Sequence, residues 1–403
     1  MKIKSTILAF YFLVFQICFF LFVKLAQLIF TFLPLHKMYK KNGTVFLEIF
    51  PEENAGYIYR VKKWEEVLNK DGIKANSFLV YKDKDKFYYD IKNRFTWFLI
   101  RFAITKFIHV IKTIPYKNVI VRREILMYND YGNLFMEKFL LKINPNAILD
   151  FDDDIASAKR EPKNISRYGK ILLESKSKFT ESLKLYNHFI VGSKHLSEKL
   201  LQNNPKANFI IIPTCVDYYK IPPKKYEKFN PDKKIVFGWI GTDSNQVLLN
   251  NIITPLNKLS KKVKFKLLVI SGKKYSNSNA EFEIENINWS YRTQIDDLKK
   301  IDIGLMPLNY REKDKGKCGF KLIQYMGLGI VSIASSVTIN KEIIPSENHG
   351  FLVDEESNEW LKQLCKATVN KNNFELIGEK ARTHIENNFS FNCHKENFKL
   401  FLN

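Results

Sequence analysis

The chain has 403 residues, enough for two ordinary domains, and 45% of them are hydrophobic, enough to fill two cores. Its 64 Lys and Arg against 42 Asp and Glu leave a formal charge of +22, which implies an acidic partner: nucleic acid, an anionic membrane or a phosphorylated substrate. The lysines are scattered and form no recognised nucleic-acid module, and a lysine-rich composition also fits an AT-rich genome. Cys18, Cys215, Cys318, Cys365 and Cys393 show neither metal spacing nor a disulfide framework, as expected in a reducing compartment.

The run from Thr6 to Val23 is apolar apart from Gln16. At helical rise it spans about 27 Å, close to the thickness of a bilayer core. Lys24 interrupts it, and Leu25 to Leu35 is apolar again. No small-residue cleavage site follows, so residues 1–36 are expected to stay as a membrane anchor. Lys2 and Lys4 precede the run and Lys37, Lys40 and Lys41 follow it, so charge does not fix the topology. Three arrangements fit: a single span with the bulk of the chain in the cytosol, a helix pair dipping into one leaflet, or a buried core hairpin.

Thr44 to Phe50 reads as a strand, Tyr57 to Asn69 as a helix stopped by Asp71 and Gly72, and Ser77 to Tyr81 as the next strand. This opens a doubly wound α/β sheet. Lys82 to Lys92 is charged and reads as a loop. Arg94 to Thr113 is an aromatic helix, either packed in the core or resting on a membrane surface, with core packing the simpler choice. Asn118 to Arg123 is a strand that sets Arg122, Arg123 and Glu124 at its carboxyl end, where open α/β sheets bind ligands. Asn146 to Phe151 is another strand, running into Asp152, Asp153 and Asp154. Such a cluster fits a divalent cation, an acceptor hydroxyl whose proton it catches, or a solvated helix cap. Residues 160–187 are helical in pattern. His188 to Ser193 is a strand, Lys194 to Gln202 a helix, and Asn208 to Pro213 the last strand of this half, before a linker from Tyr218 to Lys233.

In the second half Lys234 to Ile240 is a strand, and Gly241-Thr242-Asp243-Ser244 turns into a helix from Asn245 to Ser260. Lys264 to Ser271, Ile284 to Trp289 and Asp302 to Pro307 are strands, with a helix from Ser290 to Lys300 and a charged loop from Asn309 to Lys317. The stretch from Gly316 to Ser335 then reads as a short helix entered through a glycine loop, followed by a buried strand from Ile330 to Ala334. Lys321 and Gln324 share one helix face, while Leu322, Tyr325 and Met326 fit another that packs on a sheet. Amides at such a helix start attract phosphate, and Lys321 adds a point charge there. The plain alternative is one more crossover unit carrying a surface lysine. A helix-like turn from Asn340 to Phe351 (NKEIIPSENHGF), a strand from Phe351 to Val353 and helices from Glu355 to Val369, Asn373 to Asn388 and Phe391 to Phe401 complete the chain.

The segment GFKLIQYMGLG, preceded by DIGLMPL and followed by a strand and NKEII, resembles the donor-binding segment of family 4 glycosyltransferases. The likeness is close over residues 235–355 and looser over residues 44–220, where DFDDDI and IPTCVD resemble the family's D-F-D-D-A-I and I-P-N/T-G-V-D. It implies a GT-B fold: two Rossmann-like doubly wound α/β domains with an interdomain cleft, here preceded by a hydrophobic membrane segment. The expected domains are residues 43–216 for acceptor binding, a linker at 217–233, residues 234–388 for the nucleotide sugar, and residues 389–403 returning to the first domain. The implied reaction is retaining transfer of a sugar from a nucleotide sugar to a saccharide or lipid-linked acceptor, in polysaccharide, glycolipid or lipopolysaccharide synthesis. The catalytic part then faces the cytosol, where nucleotide sugars are. The partners are the nucleotide sugar, the acceptor and an anionic membrane surface, with no nucleic acid, no further cofactor and no metal.

Carried over position by position, the likeness places the donor at Gly241, Thr242, Lys317, Gly319, Phe320, Lys321 and Gln324. It places the acceptor at Gly56, Arg60 and Arg122, where Gly56 and Arg60 match a G-x-x-x-R-like pattern, and implies catalytic roles for Asp152, Asp153 and Lys321. The chain departs from the family at four positions. The paired glutamates fall on Gly316 and Gln324, and the arginine and lysine of the diphosphate turn fall on Thr242 and near Asn245 or Gln246. The missing charge is then expected from Lys321, with Lys315 or Lys317. These departures leave two alternatives: a non-catalytic membrane scaffold or partner subunit of the same fold, and a sugar-nucleotide epimerase.

Overall fold

The apolar runs of the first half pair into one parallel sheet: β1 (Thr44–Glu48), β2 (Ala75–Leu79), β3 (Asn118–Arg122), β4 (Ile148–Phe151), β5 (His188–Val191) and β6 (Asn208–Ile211). Their spatial order is β2-β1-β3-β4-β5-β6. Those of the second half form another: β7 (Ile235–Ile240), β8 (Phe265–Ser271), β9 (Glu283–Asn288), β10 (Ile303–Met306), β11 (Val331–Ser335) and β12 (Phe351–Val353), in the order β12-β11-β10-β7-β8-β9. Every neighbouring pair is parallel, so each connection is a crossover and apolar residues line both faces of the central strands. The structure is a computed structural model of the chain and describes residues 2–33, 42–128, 130, 133–154, 178–226, 234–355 and 359–403.

Two compact units result: Met1–Pro213 with Asn397–Asn403, and Thr214–Glu396. Each sheet is doubly wound. In the first, the chain reverses direction across the sheet between β1 and β3; in the second, between β7 and β10. Such switch points leave a crevice at the strands' carboxyl ends.

The helices of the first unit are α1 (Lys2–Phe32), α2 (Lys63–Lys70, entered through Ala55–Tyr57 and a π-turn at Ile58–Lys62), α3 (Lys84–Asn93), α4 (Phe95–Lys112), α5 (Phe135–Ile143), α6 (Lys178–Leu185) and α7 (Lys194–Asn203). Those of the second are α8 (Ile253–Ser260), α9 (Gln294–Lys299), α10 (Glu312–Lys315), α11 (Phe320–Gly327), α12 (Thr338–Ile343), α13 (Glu359–Val369) and α14 (Phe374–Asn388), and α15 (Phe391–Leu402) ends the chain. The last residues belong to the first unit, where Phe398 meets Trp64 with ring centroids 4.5 Å apart and Lys399 pairs with Asp71 at 2.9 Å.

Several local expectations give way. Residues 82–92 are no loop: Asp83 caps α3 by accepting from the Lys86 N–H at 2.6 Å, and Phe87 is buried beneath it. Capping outweighs the density of charge. Asp83→Ala is expected to cost about 1 kcal/mol, read as a lower denaturation midpoint with unchanged slope. The expected helix from Asn245 to Ser260 is 3₁₀ over Asp243–Ile252 and α only from Ile253. Pro255 explains where the α-helix begins, because it lacks an N–H and fits only a first turn. The expected linker is partly a fixed piece of the second unit, since Arg382 donates to the carbonyls of Ile221 at 2.8 Å and Tyr218 at 2.9 Å. Residues 227–233, and the expected helical stretch up to residue 177, lie outside the described residues, as do Lys37, Lys40 and Lys41.

Lys24 does not break the amino-terminal helix, so the two apolar runs are one element, α1, and neither a helix pair nor a hairpin forms within it. Phe12, Phe19, Val23 and Phe30 lie on one stripe of α1 and are buried in the core of the first unit. They pack on α4, on α5 and on Tyr128: Phe12 meets Tyr128 at 5.4 Å, Phe19 meets Phe107 at 6.3 Å, and Phe30 meets Phe139 at 5.4 Å.

Candidate functional site

The carboxyl end of β7 is where the second sheet switches direction, and α11 is seated on it. Tyr325 holds the helix there: its hydroxyl accepts from the Ile240 N–H at 2.9 Å, and its ring lies wholly buried. One turn earlier, Lys321 reaches back across the strand end. Its Nζ sits 5.4 Å from the centroid of the Trp239 ring. Gly241 lies beneath both. A Cβ on it would fall 2.6 Å from the indole and 2.9 Å from Lys321 Cε, so only glycine fits. Gly319 caps α11 with a φ of 67°, the left-handed geometry that glycine supplies without strain.

The other residues expected at the nucleotide sugar divide. Thr242 is exposed in a hydroxyl-lined turn, its Oγ1 within 3.2 Å of Ser244 Oγ and accepting from Asn245 Nδ2 at 3.0 Å. No lysine or arginine lies between Gly241 and Leu249, and Asp243 instead accepts from the Ser271 hydroxyl. Lys317 and Phe320 are half-buried on either side of Gly319. Gln324 is only 4% exposed, its amide donating to Gln294 Oε1 at 3.5 Å, the outer limit of a hydrogen bond. Of the two residues expected on one face, Lys321 is thus the one at the open edge.

The corresponding edge of the first sheet carries a ladder of charges. Glu48 ends β1, and its Oε1 accepts from the N–H groups of Ile49 and Phe50 at 2.7 and 3.0 Å. Its Oε2 accepts from Arg122 Nη1 at 3.0 Å. Arg122 Nη2 faces Asp152 Oδ1 at 3.5 Å. Arg123, held at a φ of 65°, donates from Nη2 to Asp152 Oδ1 at 3.1 Å and to Asp153 Oδ2 at 2.9 Å. The Phe50 ring covers both guanidinium groups. Lys106 of α4 is fully buried and steadies the Glu48 carbonyl from behind at 2.6 Å; burial pulls its pKa down to about 8.

This geometry reassigns several expected residues. Arg60 is an internal pin: Nε donates to both Asp150 oxygens at 3.0 and 3.1 Å, Nη2 to Asp150 at 2.5 Å, and Nη1 to the carbonyls of Ile212 and Pro213. With every nitrogen committed, it has nothing to offer an acceptor's phosphate or carboxylate. The π-turn explains its position, because Ile58, Tyr59, Arg60 and Val61 are all buried, which a regular α-helix face does not allow. Arg122 is likewise 1% exposed, and Gly56 is the bare backbone that admits it: a Cβ there would lie 2.7 Å from Nη1.

The acidic run splits three ways. Burial pushes the Asp152 carboxyl up, but Arg122, Arg123 and Arg60 outweigh burial and hold it well below the usual carboxylate range. So held, Asp152 is a fixed anion and a poor proton acceptor. Asp153 is the partly open member, with its side chain 29% exposed. Asp154 pairs with Lys199 at 2.5 Å. The carboxylates face cations rather than one another, which is not the arrangement of a cation site. Glu124 has turned inward, 3.6 Å from the buried Lys178. The ladder is incomplete: among the described residues Arg122 Nε, Arg123 Nε and Asp153 Oδ1 are buried without a hydrogen-bond partner.

Sequence reasoning missed Glu48, Phe50 and the hydroxyl of Tyr325. The signal for Glu48 was present, an acid closing an apolar strand just as Asp152 does.

No family model and no curated protein matches the chain. Solved structures do. A sucrose-phosphate synthase from Thermosynechococcus elongatus superposes with a TM-score of 0.64 at 11% identity, over 90% of this chain and 98% of that one. A glycosyltransferase from Rickettsia africae ESF-5 gives 0.61 at 16% identity, over 90% and 98%. Anabaena HepE, solved in complex with UDP-glucose, gives 0.59 at 11% identity, over 89% and 99%. The two doubly wound units of this chain therefore form a GT-B fold.

Proposed function

We propose that the protein is a retaining glycosyltransferase of the family 4 type, working at the cytoplasmic face of a membrane. It takes a sugar from a nucleotide-sugar donor, with UDP-glucose the first candidate because HepE is solved with it. The acceptor is a saccharide or a lipid-linked saccharide, in polysaccharide, glycolipid or lipopolysaccharide synthesis. The observation that carries this reading is Lys321, laid over the end of β7 at the switch point. As the bond from the anomeric carbon to the diphosphate breaks, negative charge grows on the phosphate oxygens. A fixed ammonium and the α11 amino terminus stabilise that charge where it develops. On the first unit, Asp153, the partly open carboxylate, is offered to an acceptor hydroxyl, and its ion pair with Arg123 holds it in place.

The test is transfer from a panel of nucleotide sugars, read as nucleoside diphosphate release and as glycosylated acceptor. Asp153→Asn is expected to lower transfer by about 10²-fold, as loss of a positioned proton acceptor does, and to leave the melting temperature unchanged. Full activity in that variant would remove Asp153 from the reaction. The acidic Asp243 and neutral Thr242 in the diphosphate turn favour a second reading, a non-catalytic scaffold. It predicts no thermal shift with any donor in the panel.

A further inference from the structure

Opposite its buried stripe, α1 exposes Phe10, Val14, Ile17, Leu21, Leu25 and Leu28 at helical spacing, Phe10 by 64%. On α4, next to it, Trp97, Ile104 and Ile108 are exposed, with Arg101 and Lys112 on the same stripe. Phe22 lies 5.0 Å from Phe107, so the two helices present one continuous apolar surface. A soluble monomer rarely exposes so many large apolar side chains together.

We infer that this face is embedded in one leaflet of an anionic bilayer, with α1 lying in the plane of the interface and not crossing it. The inference deepens the membrane-associated reading proposed above and rests on it.

The length of the packed stripe excludes a simple crossing. From Phe12 on Tyr128 to Phe30 on Phe139, α1 is fastened to its own domain over 18 residues, about 27 Å of helix. That is nearly the whole hydrocarbon thickness of about 30 Å. To cross, α1 must drag α4, α5 and the backbone beside them into hydrocarbon, or peel away and strip the cover from Phe107, Phe135 and Phe139. An in-plane helix needs neither: one stripe stays on the protein and the other enters the acyl boundary.

Charge identifies the leaflet. Neither α1 nor α4 contains an Asp or Glu. Arg94, Arg101 and Lys112 are exposed along α4, and Arg94 stacks on Tyr89, itself exposed on α3. Basic residues and aromatic rings beside an apolar face match an anionic headgroup layer.

The test uses the full chain with an amino-terminal epitope tag, expressed in bacterial cells. In inverted inner-membrane vesicles, protease is expected to remove the tag and to degrade the second unit as well; in right-side-out spheroplasts both are expected to be protected. Purified chain is expected to float with vesicles containing phosphatidylglycerol. The triple variant Phe10→Glu, Leu21→Glu, Trp97→Glu is expected to float about tenfold less or weaker still, with an unchanged melting temperature. A tag cut from the spheroplast side overturns the in-plane arrangement and leaves membrane attachment standing. A chain that does not float, and scatters light as a dimer, shows the face to be covered by a second copy and overturns both. Sugar transfer by the triple variant, assayed with soluble acceptor, reports on the glycosyltransferase reading separately.

Discussion

Lys321→Ala is expected to lower the turnover of sugar transfer by about 10²–10³-fold, or roughly 3–4 kcal/mol of transition-state stabilisation. The upper end is expected because the turn after β7 has no arginine or lysine to share the load. The loss falls on turnover more than on donor affinity, since charge on the diphosphate grows as the glycosidic bond breaks. Stability changes little: the ammonium is half-buried over Trp239, a contact worth about 0.5–1 kcal/mol. Thr242→Arg in the same background returns a cation to the turn at an exposed position and is expected to recover part of the rate. Steady-state kinetics on the three proteins decide the matter. An unchanged turnover in Lys321→Ala would move the leaving group away from this edge altogether.

The other large effect is on folding. Arg122→Met is expected to destabilise the first unit by about 3–5 kcal/mol, because it leaves Glu48 and Asp152 buried without their shared cation. In a unit of this size each kcal/mol shifts the melting temperature by about 2–4 °C. The double variant Glu48→Met, Arg122→Met is expected to regain part of the loss, since both ends of one ion pair are then apolar. A single variant that melts like wild type would show the ladder to be ornamental to stability.

Asp152 adds a pH signature. Its folded pKa is depressed, so its contribution is complete above the unfolded value of about 3.9 and is lost as pH falls through the folded one. The stability gap between wild type and Asp152→Asn is therefore expected to shrink by about 1 kcal/mol between pH 7 and pH 3 in denaturant titrations.

The strands were legible because a parallel strand covered on both faces must be an apolar run, and runs such as KIVFGWI and NVIVRR carry that signature directly. Helix α11 was legible too, since Gly319 and its periodicity are local. The burial of Arg60 was not. It depends on a π-turn, a one-residue phase change that no propensity encodes, and on Asp150 ninety residues away. Gln324 shows the same limit: sharing a helix face with Lys321 does not set which of them meets solvent. Helix α3 was hidden because the density of charge masked a single capping carboxylate.

The order of synthesis adds one last consequence to the way α1 is held. Its partners on α5 end at Ile143, about 110 residues downstream of its final packed ring, Phe30. At translation rates of about 5–20 residues per second the finished helix waits roughly 5–20 s before Phe139 exists to meet it. Within that interval α4, whose Phe107 meets Phe19 and Phe22, is already made, while the α5 half of the packing is still missing. The partners of α1 therefore become available in two stages, α4 before α5.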